Sequence, residues 1–154
     1  MLEMRTPRDC GVVLLSNLAE ILTGKSAATT YQEIIARYRP FMGDDIRADL
    51  WDSPTRHLRI IEDLTGQKAG LIPDPLLIPC GVLLRLSWSV YHWVTVVGIA
   101  HGAATWHDGK KLRTCTFQER FPGCSVVLAY APGGVMPLPW YYRVWGWLTS
   151  WVVG

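Results

Sequence analysis

The residues best suited to chemistry in this sequence are a cysteine, a histidine and an aspartate, each at the end of a strongly patterned segment. Cys10 opens the run Cys10–Thr23, whose apolar residues at 14, 15, 18, 21 and 22 have helical spacing. A cysteine in the first turn of a helix sits among unpaired backbone N–H groups at the positive end of the helix dipole. Those groups stabilise a thiolate, and they can also hold the oxyanion formed when the thiolate attacks a carbonyl. Such a nucleophile needs a base, and His92 begins the long apolar segment 92–100. Asp108 closes the neighbouring segment 103–107 and lies beside His92 if the two segments pair as a hairpin. A thiol, an imidazole and a carboxylate so arranged run acyl chemistry through a thioester.

Each of the three also has a structural reading. Cys10 could be a small core hydrophobe, His92 a strand-edge histidine bonded to backbone, and Asp108 the turn residue of Asp108-Gly109. The remaining cysteines, Cys80, Cys115 and Cys124, read as core thiols. His57 reads as a helix-surface residue, His101 as a turn residue, and His107 as a surface residue alternating away from Asp108. No CxxC, HxxxH or zinc-finger spacing is present, so neither a metal nor any other cofactor is expected.

The elements that must position the three residues follow from caps and periodicity. Asp9 and Gly24 bracket the first helix. Residues 30–38 form a second, with Thr30 and Glu33 as a capping box and Pro40 past its end. Ser53-Pro54 opens a third, which runs through His57, Ile60, Ile61 and Leu64 to Gly66. After a proline-rich connection at 71–80 the period changes to that of strands, at 82–88, 92–100, 103–107, 111–116 and 124–130, with a short helical turn at 117–121. Helices followed by an antiparallel meander make an α+β layout.

Composition narrows the classes. The chain has 154 residues, only 18% of them charged, and a net charge of +2 spread along its length, which excludes a disordered chain and argues against a nucleic-acid partner. The charged N-terminus has no apolar run, so synthesis in the cytoplasm without a signal peptide is expected, with delivery to a virion or as an effector left open. Four of the eight tryptophans fall after residue 139. Pro132-Gly133-Gly134 is expected to end a domain at residue 131, leaving 132–154 as an apolar docking tail.

The residues together resemble the papain-like cysteine peptidase superfamily, closest to its C39-type and transglutaminase-like members. Asp9-Cys10-Gly11 opens a helix, His92-Trp93-Val94-Thr95-Val96-Val97-Gly98 starts a strand, and Trp106-His107-Asp108-Gly109 ends the next, all in the family's order over residues 1–131. The resemblance implies N-terminal helices, the nucleophile helix among them, packed on a C-terminal antiparallel sheet. It implies Cys10 as nucleophile, His92 as general base then acid, and Asp108 as the orienting carboxylate, with a peptide or protein as substrate. The family carries a glutamine upstream of the cysteine that donates to the oxyanion. Here Met4 stands at that place and no glutamine precedes Cys10. The backbone of Cys10, with Arg5 or Arg8, would have to serve.

Three functions fit these observations. One is a cysteine hydrolase cleaving amide bonds. Another is a catalytically inactive papain-like module with an assembly role, as in a phage virion or tail, docking through its C-terminal residues. A third is acyl transfer of the transglutaminase or deamidase type, in which an amine takes the thioester. Trp140, Tyr141, Trp145, Trp147 and Trp151 are the docking candidates of the tail. The tail could pack back onto its own domain; otherwise its partner would be a protein, a second copy of the chain or a membrane interface.

Overall fold

The computed structural model describes residues 1–42, 53–73, 79–88, 90–101, 103–116 and 124–141. They form three helices and one six-stranded antiparallel sheet, an α+β architecture. A one-turn 3-10 helix, Pro7–Asp9, leads into α1 (Cys10–Thr23). Then come α2 (Ala27–Met42) and α3 (Pro54–Thr65). The strands are β1 (Ala69–Leu71), β2 (Cys80–Arg85), β3 (Tyr91–Ala100), β4 (Ala103–His107), β5 (Leu112–Thr116) and β6 (Ser125–Pro132).

Helix α1 is the core element. Every residue from Cys10 to Ala19 is buried, which requires its polar members to be satisfied internally. Ser16 Oγ donates to the Val12 carbonyl at 2.7 Å, and Asn17 takes the Leu2 backbone as partner. Gly24 ends the helix in the left-handed region at φ 75°, as its sequence position predicts. Helix α2 is longer than expected at both ends. The Glu20 carboxylate accepts from Ala27 N–H at 2.7 Å and so starts the helix before Thr30, whose hydroxyl donates to the Ser26 carbonyl. Pro40 lies inside the last turn, not beyond it.

The strand order is β1-β6-β2-β3-β4-β5. Only β2 to β5 form the expected meander; β6 returns to lie between β1 and β2. Strand β1 is not among the expected strands; it ends at Leu71, where the expected connection 71–80 begins, and three residues are too few to show a period. The sheet is apolar on both faces. Leu83, Trp93, Leu128 and Tyr130 pack with α1 and α3, whereas Val82, Leu84, Val94, Val96, Trp106 and Ala129 form a second cluster on the opposite face. Central strand β2 is therefore buried from Cys80 to Leu84.

Packing continues past Pro132. Leu71 and Met136 exchange two backbone hydrogen bonds, at 2.8 and 3.1 Å, and Leu138 is buried in the core cluster with α1. The boundary expected at residue 131 thus falls inside packed structure. Gly70 and Gly134 make this docking possible, because a Cβ on Gly70 would lie 2.3 Å from the Gly134 carbonyl oxygen. Trp140 and Tyr141 are exposed. Trp145, Trp147 and Trp151 lie outside the described residues, as does the helical turn expected at 117–121. Among the described residues no helix is long and apolar enough to cross a membrane.

Candidate active site

Cys10 opens α1 on the face of the sheet that carries Trp93. Asp9, the residue before it, does not cap α1 with its side chain. Its carboxylate instead closes the preceding turn, accepting from Thr6 N–H at 3.1 Å and Arg5 N–H at 3.3 Å, while the Tyr31 hydroxyl donates to its other oxygen at 3.4 Å. The Cys10 side chain is 1% exposed. Burial pushes its thiol above the ordinary value; the backbone N–H groups of Trp93, Gly11 and Cys10 itself pull it down, and the Asp9 charge adds to the rise. The net direction is upward, so the buried thiol is protonated at neutral pH. The neighbouring backbone N–H groups lower the cost of a thiolate there without overcoming burial. Arg5 and Arg8 are exposed.

Cys10 shares a buried cluster with Trp93, which places it near the start of β3. By strand alternation the His92 side chain points to the opposite face from Trp93, beside its cross-strand partner Leu84. No hydrogen bond joins Cys10 to His92. The His92 ring instead bonds the Asp108 backbone carbonyl, with Nε2 to O at 2.6 Å. A carbonyl only accepts, so Nε2 carries the proton and Nδ1 is the basic nitrogen. Among the described residues Nδ1 has no hydrogen-bond partner.

Asp108 thus lies beside His92, as the hairpin predicts, but it holds the ring through its main chain. Its carboxylate is used within the turn. It accepts from the N–H groups of Lys110 and Lys111, both at 2.9 Å, and pairs with Arg113. Burial raises this carboxyl, but those hydrogen bonds and the Arg113 charge outweigh it and hold it at about 2. His92, Asp108, Leu84, Trp106, Arg113 and Met4 line a groove of about 480 Å³. Cys124 lines it too and is half-buried, whereas Cys80 is fully buried. The side chain of Cys115 lies outside the described set.

Two histidines expected at the surface are inside. His57 is fully buried in α3, with Nδ1 2.7 Å from the Tyr130 hydroxyl and its ring stacked on Trp93 at 4.1 Å. Its position was visible in the sequence, because residues 57, 60, 61 and 64 form one helical stripe. His107 is 5% exposed; burial lowers its pKa, and its Nδ1 accepts from Gly109 N–H at 3.2 Å. Alternation misplaces it because β4 is buried on both faces at its end, Trp106 and His107 alike. The Tyr130 ring of this cluster lies over Gly81, where a Cβ would come within 2.8 Å of it.

Among the described residues no group of three His, Cys, Asp or Glu side chains could hold a metal ion. No protein-family model matches the chain, and no curated protein is similar to it.

Proposed function

We propose that the chain is a papain-like cysteine hydrolase acting on amide bonds. The observation that carries this reading is the placement of Cys10 in the first turn of buried α1, in the same packed cluster as Trp93, whose chain neighbour His92 has Nε2 anchored and Nδ1 left basic. His92 Nδ1 takes the thiol proton as the sulfur attacks the substrate carbonyl, forming the S–C bond. The N–H groups of Cys10, Gly11 and Trp93 hold the oxyanion. Collapse breaks the C–N bond, and the imidazolium gives its proton to the leaving amine. Water, deprotonated by Nδ1, then attacks the thioester, and the thiol leaves with that proton. The Asp108 carbonyl keeps Nε2–H in place and so fixes the tautomer, the task the family gives to a side-chain carboxylate. His92 starts on the face opposite Cys10, so the reaction requires its side chain to reach round the start of β3 with the Asp108 turn moving alongside it, and the sulfur to be uncovered.

The test is acylation of the full chain by p-nitrophenyl acetate, followed by peptide mapping. An acetyl group on Cys10, absent in Cys10→Ala and slowed in His92→Ala, supports the reading; acetylation of Cys124 alone overturns it.

A second reading, a non-catalytic module with a docking role, is favoured by the buried, protonated Cys10 and by Trp140, 72% exposed, at the end of a packed segment. It predicts no acylation of Cys10 in any variant. It also predicts association of the full chain that Trp140→Ser weakens.

A further inference from the structure

We propose that residues Leu2–Thr6 are a built-in cover over the Cys10 site, with Met4 as its plug. The proposal rests on reading Cys10 as the nucleophile, and it adds the means by which that thiol is kept from substrate. Met4 packs against the core cluster that contains Cys10, and it also lines the groove that contains His92 and Asp108. It therefore touches both the cluster that holds Cys10 and the groove that holds His92. The segment is laid on the domain with alternating side chains: Leu2 and Met4 are half-buried, whereas Glu3 and Arg5 are exposed.

Three sets of anchors hold it. Leu2 N–H donates to Asn17 Oδ1 at 2.6 Å, and Asn17 Nδ2 donates back to the Leu2 carbonyl at 3.0 Å. Met4 N–H donates to the Gly109 carbonyl at 2.6 Å. The Arg5 and Thr6 N–H groups end on Asp9, next to Cys10. The turn after Asp108 is shaped for the plug. Gly109 has φ 90°, and a Cβ there would lie 2.6 Å from the Met4 side chain. The cover is tied to the same turn that holds His92, so lifting Met4 frees the thiol and the space beside the imidazole together. Only two side chains of the segment are partly buried, so it can open without unfolding α1 or the sheet.

The experiment is the iodoacetamide reaction of Cys10 in the full chain at neutral pH, with N-acetylcysteine in the same tube as reference and peptide mapping to separate the cysteines. Met4→Ala and Leu2→Ala each speed Cys10 alkylation by about ten-fold or more, and Met4→Leu, which keeps the volume, stays near the native rate. The proposal is overturned if native Cys10 already reacts like the free thiol, or if both alanine variants, folded by circular dichroism, leave the rate unchanged. Hydrogen exchange of the native chain tests it without substitution. The Met4 amide exchanges faster than the amides of α1, and equal protection would mean that the segment opens only on global unfolding. If Met4→Ala speeds alkylation but adding His92→Ala to it changes nothing, the cover stands and the hydrolase reading falls. If His92→Ala slows acylation of Cys10 but Met4→Ala changes no rate, the reverse holds.

Discussion

Replacing Asp108 by asparagine removes one charge from the turn that holds His92 and leaves its shape nearly intact. The carboxyl is held at about 2, against an ordinary 3.8, by two backbone N–H groups and Arg113. The carboxylate is 12% exposed but its partner Arg113 is half-exposed, so solvent screens part of the pairing and lowers what it contributes. At about 1.4 kcal/mol for each pH unit of displacement, the ionised form contributes about 2 kcal/mol to folding at neutral pH. The sign follows from the lowered pKa: the contribution is complete above the unfolded value and is lost as pH falls through about 4 to 2. Asparagine resembles the protonated acid. Asp108→Asn is therefore less stable than the native chain by about 2 kcal/mol at pH 7, and the two converge toward pH 2. Urea unfolding followed by tryptophan fluorescence at pH 7, 5 and 3 measures the gap, and other carboxylates cancel in the difference. A gap below about 0.5 kcal/mol at pH 7, or one of the same size at pH 3, would refute the assignment of that carboxylate to the turn.

Two further outcomes follow from the packing. Tyr130→Phe removes the hydroxyl that meets His57 Nδ1 inside the core, which destabilises the fold by about 1–3 kcal/mol in the same unfolding assay; an unchanged midpoint would contradict that contact. Leu138→Ala, at a site 7% exposed in the core, costs about 2–5 kcal/mol in the same assay, and no measurable change would contradict the packing of the chain beyond Pro132.

The helices were legible because local chemistry sets them: Gly24 and Gly66 stop α1 and α3 where a left-handed residue is required. The strands from β2 to β5 were legible from period and turns. The return of β6 between β1 and β2 was not, since pairing between distant segments leaves no local signal. Of the candidate site, the order Cys10, His92, Asp108 and the nearness of His92 to Asp108 were readable. That Asp108 meets His92 through its carbonyl was not, because a turn residue can offer either group, and Lys110, Lys111 and Arg113 compete for the carboxylate. The place of Met4 in the fold had no marker in the local sequence pattern. It follows from the path of residues 2–6 along α1 and the Gly109 turn, which is a tertiary matter.

The central claim is that Cys10 is activated by His92. The alkylation rate of Cys10 between pH 5 and pH 9, in Met4→Ala and in the Met4→Ala, His92→Ala double variant, tests it most directly. Activation predicts that loss of the imidazole slows the reaction by about ten-fold or more at pH 7 and moves the rise of the profile to higher pH. Superimposable profiles would show that Cys10 is a covered core thiol and contradict the account.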